Sequence, residues 1–351
     1  MIDKVTVDKI LETAEIVDVV GDFVSLRRRG ANYIACCPFH NEKTPSFSVS
    51  PSKGIFKCFG CGKAGSAVTF LMEHEQLSYV EALKYLGKKY GIEVKEQEES
   101  QEMAADRLKR ESMLAVNDFA AKFFTDNLFN TSAGRAIGLS YFKERRGFTD
   151  ETIKKFGLGY SPSSKPFAAS EEYVPTLFEA AQKQGFKQEF LIATGLCFEH
   201  NTGRVLDKFY ERVMFPIHSL SGRVIAFGGR TLREDKSVAK YMNSPESEVY
   251  HKSNSLYGIF FAKSAISKLQ KCYLVEGYTD VISMHQAGIE NVVASSGTSL
   301  TVEQIRLIRR FSNKVTVLYD GDAAGIKASL RGIDMLLEEG LEIKVVLLPD
   351  G

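Results

Sequence analysis

Two groups of residues in this sequence have the types and spacing that chemistry requires. The first is Cys37-Pro-Phe-His40 with Cys58-Phe-Gly-Cys61, two C-x-x-H/C pairs with 17 residues between them. Each pair can form a tight knuckle, and two knuckles together give a tetrahedral set of three sulfurs and one nitrogen, the donor set of zinc. The protein fills all four positions, so this is a closed structural site rather than a catalytic one. Cys36 stands beside Cys37; only one of the two fits the spacing to His40, and Cys37 is assigned. The second group is acidic: Glu276, Asp280, Asp320 and Asp322, within E-G-Y-x-D and D-G-D-x-A-G. Carboxylates brought together make a hard, oxygen-rich cluster suited to Mg²⁺ or Mn²⁺.

The acids need elements that deliver them to one place. Cys272–Val275, Asn291–Ala294, Lys314–Leu318 and Glu342–Leu348 are short runs rich in Val, Ile and Leu. Alternating with helical patterns, they predict a parallel α/β sheet. Glu276 closes the first run and Asp320 and Asp322 close the third. Open α/β sheets bind ligands beyond the carboxyl ends of their strands, so Glu276, Asp320 and Asp322 are expected to converge. An acid in that place can also be a simple helix N-cap, and Asp280 and Asp322 each fit that alternative. Gly277, Gly321 and Gly325 allow sharp turns close to a phosphate.

Earlier in the chain, residues 6–20 predict one amphipathic helix, with Val7, Ile10, Leu11, Ala14, Val17 and Val20 on a stripe. Residues 32–60 predict a small antiparallel sheet, and Ser78-x-x-Glu81 is a capping box. Residues 22–63 hold seven Lys or Arg against two acids. These cations, Arg27–Arg29 among them, interleave with Tyr33, Phe39, Phe47, Phe56 and Phe59, a combination suited to single-stranded nucleic acid. Residues 93–112 carry seven acids and four bases and almost no large apolar side chain, which reads as a linker. A helical region is expected over 103–157 and short helices near 175–184 and 187–194. Val213–His218 and Arg223–Phe227, joined by Ser219–Gly222, read as a hairpin, and 233–255 reads as loop. The sequence stops just after a strand-like run, which suggests a piece of a longer chain.

The composition excludes several classes. Forty-five Lys and Arg against 44 Asp and Glu leave a net charge of +1, so the chain as a whole is not a basic nucleic-acid coat. A hydrophobic fraction of 44% is enough to build cores. No apolar run nears the ~20 residues needed to span a bilayer, and the N-terminus lacks a signal-peptide core. The expectation is a cytoplasmic protein with no membrane partner. Six cysteines in such a chain do not make a disulfide scaffold.

The stretch 272–325 resembles the Toprim domain shared by topoisomerases and primases. The segment CPFHNEKTPSFSVSPSKGIFKCFGCGKAGS is similar to the zinc-binding domain of bacterial DnaG-type primases. The runs ERVMFPI, GRVIAFGGR and AKYMNSPESEVYHKSNSLYG resemble the same family's RNA polymerase core. The likeness runs from residue 1 to residue 351.

The resemblance implies an α/β multidomain protein with four parts: a zinc-ribbon β-sheet domain (1–98), a charged linker (99–112), a mixed α+β basic subdomain (113–255) and a Toprim-type parallel α/β domain (256–351). It implies synthesis of short RNA primers on single-stranded DNA from ribonucleoside triphosphates, with structural Zn²⁺ and catalytic Mg²⁺ or Mn²⁺. Glu276, Asp320 and Asp322 would be the catalytic acids, with Glu276 either a metal ligand or a participant in proton transfer. Arg146, Arg212, Arg230, Lys240, Tyr241, Asn243, Lys252 and Asp280 would face nucleotide or DNA. The family ends in a helicase-binding domain, absent from this sequence, and carries a further acidic motif beyond the equivalent of Pro349-Asp350-Gly351. Two other readings fit parts of the chain. One is a Toprim nuclease or topoisomerase piece; a topoisomerase needs a domain bearing a strand-breaking tyrosine, which is not evident. A zinc-ribbon DNA-binding regulator is at odds with intact Glu276, Asp320 and Asp322.

Overall fold

A computed structural model describes residues 2–75, 77–94, 101–163, 173–235, 237–295, 300–319 and 332–347. Contacts divide the chain into two compact units, Met1–Ala104 and Ala105–Gly351.

In the first unit, α1 (Lys4–Thr13) starts at Asp3, whose carboxylate accepts from the Thr6 N–H, and α2 (Ile16–Gly21) follows. The single helix expected over 6–20 is thus two, because Ala14 and Glu15 are both extended. The reason lies in the apolar spacing. Ile10 and Ile16 are six residues apart, about 240° around a straight helix, yet both are buried, at 0% and 2% exposure. Only a break lets both reach the core, and it leaves Leu11 exposed. The strands β1 (Arg27–Arg29), β2 (Asn32–Ala35), β3 (Phe47–Ser50), β4 (Ile55–Cys58) and β5 (Ala64–Gly65) form one antiparallel sheet in sequence order. Phe47 and Phe56 stack at 5.3 Å between ring centres, and with Phe70 they are fully buried. Phe70 belongs to α3 (Ala67–His74), which packs on α4 (Tyr79–Lys89). The expected capping box opens α4, with Ser78 and Glu81 each accepting the other's backbone N–H.

The second unit begins within α5 (Gln101–Asn130), so the charged stretch expected to link domains is helical from Gln101 onward. Wide π-helical turns cover Gly134–Leu139 and Tyr141–Arg145, and α6 (Asp150–Lys155) is capped by Thr149. After β6 (Gly159–Ser161) come α7 (Leu177–Lys183) and α8 (Gln188–Ala193), close to where the sequence places them. A ribbon of β7 (Cys197–Glu199) and β8 (Val205–Asp207) leads to the expected hairpin, β9 (Arg212–His218) and β10 (Val224–Thr231). The segment 233–255, expected as loop, contributes β11 (Tyr241–Asn243), and the antiparallel sheet runs β11-β10-β9-β6.

The parallel sheet follows α9 (Ile259–Leu269). It comprises β12 (Cys272–Val275), α10 (Tyr278–Gln286), β13 (Val292–Ala294), α11 (Val302–Arg309), β14 (Lys314–Tyr319) and β15 (Glu342–Leu347), in strand order β13-β12-β14-β15. All four strands match the expected apolar runs, within a residue at their ends. Tyr278, at the start of α10, ties this sheet to the antiparallel one. Its ring stacks on Phe215 of β9 at 5.1 Å and its hydroxyl donates to Asn243 Oδ1 of β11 at 2.7 Å. A Cβ on Gly228 of β10 would lie 2.5 Å from that ring, so β10 needs glycine there to admit Tyr278.

Candidate functional site

The zinc ligands come together as the sequence predicts. One donor atom from each of Cys37, His40, Cys58 and Cys61 lies within 4.8 Å of all the others. A tetrahedron with Zn–S near 2.3 Å places neighbouring ligand atoms about 3.8 Å apart. The Cys37 and Cys61 sulfurs are separated by 3.8 Å, and the Cys58 sulfur lies 3.8 Å from His40 Nδ1. Backbone N–H groups support the sulfurs, Phe39 on Cys37 and Gly60 and Cys61 on Cys58. Burial pushes the Cys37 thiol up to about 12. Burial opposes ionisation of Cys58 too, but the Ser46 hydroxyl and the Cys61 and Gly60 N–H groups draw it down to about 6, ready to ligate as thiolate. Cys36 is exposed and outside the group. Four donors at these separations fit zinc.

Sequence reasoning missed the outer support of this centre. His40 Nε2 lies 3.1 Å from Glu42 Oε2. Glu42 also accepts from the backbone N–H of Cys37 (2.7 Å) and Ser46 (3.0 Å) and from the Ser46 hydroxyl, which itself lies 3.2 Å from the Cys58 sulfur. Glu42 thereby fixes the Nε2–H tautomer of His40 and aims Nδ1 at the metal position. The visible signal was an acid two residues beyond a ligating histidine. Glu42→Gln is expected to lower zinc affinity about tenfold to a hundredfold. Competition against a chromophoric chelator reads this, and parental affinity would reduce Glu42 to a loop anchor.

The second site lies in the other unit. Arg230 of β10 stands opposite Tyr241 of β11. Its Nη1 donates to Tyr141 Oη at 2.6 Å and to Tyr241 Oη at 3.3 Å, and its guanidinium lies 5.0 Å and 5.5 Å from the two ring centres. Arg146 Nε donates to the same Tyr141 oxygen at 2.8 Å. A cavity of about 470 Å³ is lined by Arg145, Arg230, Arg233 and Lys240 among others. Arg233 is paired with Glu211 and Arg223 with Glu111 and Asp118, whereas Arg146 and Arg230 have no carboxylate partner among the described residues. Lys240 is exposed.

Arg212, expected beside these groups, is 3% exposed. Its Nη1 reaches the carbonyls of Gly229 (3.2 Å), Ala239 (3.1 Å) and Lys240 (3.5 Å), so it braces the Lys240 loop from below. Asn243 accepts from Tyr278, and half-buried Lys252 sits in a short turn whose carbonyl accepts from Gln304. Asp280 takes the capping place, accepting from the Gly277 N–H at 2.9 Å.

Glu276 is half-buried directly after β12. β12 pairs with β14 in register Leu274↔Val317, so the carboxyl ends of the two strands share one edge of the sheet. Asp320 and Asp322, with Gly321, Gly325 and Pro349–Gly351, lie outside the described residues.

These features define a zinc-ribbon protein carrying a basic antiparallel layer and a Toprim-like parallel α/β domain. Three family models match in turn: the CHC2 zinc finger over residues 2–102, the N-terminal domain of the DNA primase catalytic core over 123–263, and a Toprim-like domain over 273–351. The crystal structure of the Aquifex aeolicus primase (zinc-binding and RNA polymerase domains) is 38% identical with a TM-score of 0.61, covering 99% of this chain and 80% of that one. The chain belongs to the DnaG-type DNA primase family. The DNA primase of Halalkalibacterium halodurans is 43% identical over 347 residues, 99% of this chain and 55% of the relative, so the chain spans about half the length of the curated relatives it matches. A DnaG primase catalytic domain bound to single-stranded DNA is 34% identical with a TM-score of 0.59, covering 70% of this chain and 76% of that one. No helix among the described residues is long and apolar enough to cross a membrane.

Proposed function

We propose that this chain synthesises short RNA primers on single-stranded DNA, by nucleotidyl transfer from ribonucleoside triphosphates, in the cytoplasm. The observation that carries the reading is the group of cations around the 470 Å³ cavity, Arg145, Arg230, Arg233 and Lys240 against Glu234 and Asp235, in which Arg145, Arg230 and Lys240 have no carboxylate partner among the described residues. A triphosphate brings about four negative charges, which calls for such a surplus. Membership of the primase family and the relative crystallised with single-stranded DNA support the choice of template.

In this reading a 3′-hydroxyl attacks the α-phosphorus of the incoming nucleotide and pyrophosphate leaves. Glu276, Asp320 and Asp322 would hold Mg²⁺ or Mn²⁺, a hard cation matched to a carboxylate donor set. When bound there, the cation supplies positive charge to the attacking and departing oxygens. Arg146 and Arg230 offer forked donors to phosphate oxygens and Lys240 a mobile point charge. Tyr241, Asn243 and Lys252 would face the nucleotide or template, with Arg212 positioning the Lys240 loop and Asp280 shaping the turn after Glu276. The division into a zinc-binding domain (1–98), a charged connection (99–112), a basic subdomain (113–255) and a Toprim domain (256–351) belongs to the same reading. So does a replicative helicase as partner.

Incubation with single-stranded DNA, Mg²⁺ and labelled ribonucleotides separates the alternatives. Primers support the proposal, nicked DNA favours a Toprim nuclease, and neither product leaves a binding protein. Within the proposal, Lys240→Ala should raise the nucleotide concentration giving half-maximal primer yield about tenfold, with unchanged thermal stability, since an exposed loop lysine carries little packing. An unchanged half-maximal concentration across a range of salt would remove Lys240 from phosphate binding.

A further inference from the structure

Tyr141 carries an arrangement that a core residue does not need. It is 3% exposed and packed against Phe142, yet its oxygen accepts from two guanidinium groups, Arg146 Nε at 2.8 Å and Arg230 Nη1 at 2.6 Å. Both cations also lie within 5.5 Å of its ring centre. Two donors at these lengths from one oxygen hold the arginines about 4–5 Å apart. Like charges so close repel each other, and a neutral phenol oxygen offsets only part of that. Burial pushes the Tyr141 phenol above its usual range, so it stays neutral and does not serve as the counter-anion. No carboxylate pairs with either arginine among the described residues. Arg230 Nε is buried and has no hydrogen-bond partner among them. The hydroxyl, its oxygen occupied by two cations, has its own proton left to donate, and no described residue receives it.

We infer that Tyr141 is a positioning residue that sets Arg146 and Arg230 as a two-pronged clamp for the triphosphate chain of the incoming nucleotide. The inference rests on the reading of this cavity as a nucleotide site. A bound polyphosphate would answer three demands at once: the repulsion of the guanidinium pair, the Arg230 Nε–H and the Tyr141 O–H. The aromatic ring gives the clamp rigidity, because Tyr141 is locked in the core while both arginines radiate from it. A nucleotide triphosphate and the phosphodiester backbone of a strand share this chemistry. The closeness of the two arginines favours the triphosphate, whose charges are denser along the chain.

The test uses the whole 351-residue chain and two probes, inorganic tripolyphosphate and an oligothymidylate, each titrated calorimetrically without divalent metal. Tyr141→Phe keeps the ring and removes the hydroxyl. It should weaken tripolyphosphate binding about tenfold or more, leave oligothymidylate binding unchanged and leave the unfolding temperature without ligand close to the parent's. Should that variant fail to fold, Arg146→Lys decides. It keeps the charge at an exposed position but loses the Nε donor, and the same selective loss is expected. Parental tripolyphosphate affinity in a folded variant overturns the inference, as does a parent that fails to bind tripolyphosphate. Loss confined to oligothymidylate overturns it in favour of a template contact. Primer synthesis by the parent is measured separately: a chain that shows the selective loss but makes no primers retains the clamp and loses the proposed activity.

Discussion

Cys58→Ser is expected to abolish zinc retention and unfold the first unit, the largest structural effect of any single change here. Cys58 is fully buried, closes β4 opposite Phe47 and is held by Ser46 and two backbone N–H groups. Serine offers a hydroxyl where the site needs a thiolate, and its oxygen would reach neither the metal distance nor the same charge. Structural zinc contributes about 10–16 kcal/mol in small zinc-finger peptides, comparable to the ~5–15 kcal/mol by which a whole domain is stable. The apolar core around Phe47, Phe56 and Phe70 cannot offset that loss. Zinc per chain by atomic absorption should fall from one towards zero, while proteolysis should spare the unit that begins at Ala105. Equal zinc content in variant and parent would refute the assignment.

The second large effect is functional. Asp320→Asn preserves shape and hydrogen bonding but deletes one negative charge from the proposed cation site. Loss of charge stabilisation worth several kcal/mol lowers primer synthesis about a hundredfold or more. Crowded carboxylates repel one another, so the metal-free variant should be as stable as the parent or slightly more so. A helix cap behaves differently, because Asn caps about as well as Asp and neither quantity would move. Thermal unfolding and Mn²⁺ titration on the same variant therefore decide. Lost metal response with preserved stability is the expected result, and an unchanged metal response would take Asp320 out of the site.

How far the sequence could be read depended on how local each signal was. The zinc ligands were legible because each knuckle is set by four consecutive residues, and the parallel strands because buried β-runs are apolar on both faces. The break at Ala14–Glu15 was hidden, since a stripe count rewards one continuous helix even when two short ones bury Ile10 and Ile16 better. β11 was hidden for another reason: Tyr241–Asn243 has no apolar pattern and becomes a strand only by pairing with β10. Arg212 looked like its neighbours in sequence, and only tertiary packing turned it inward. Tyr141 was the deepest omission. Residues five apart point about 140° away from each other on an α-helix, so nothing joined Tyr141 to Arg146. The π-helical winding of Tyr141–Arg145 closes that angle and brings hydroxyl and guanidinium to 2.8 Å.

The contact of Tyr278 with β9, β10 and β11 bears on how the molecule works as a machine. Tyr278 follows Glu276 by two residues, and its ring and hydroxyl are wedged against the strands that carry Arg230 and Tyr241. With Gly228 leaving no slack at that joint, the strand end that carries Glu276 is wedged against the cationic strand layer as one joint rather than as two leaves of a clasp. In the proposed reading a nucleotide entering the 470 Å³ cavity beside Arg230 would meet a preset spacing to the strand end that carries Glu276. On the same reading such a joint would gauge the phosphates alone and leave selection among bases to the template strand.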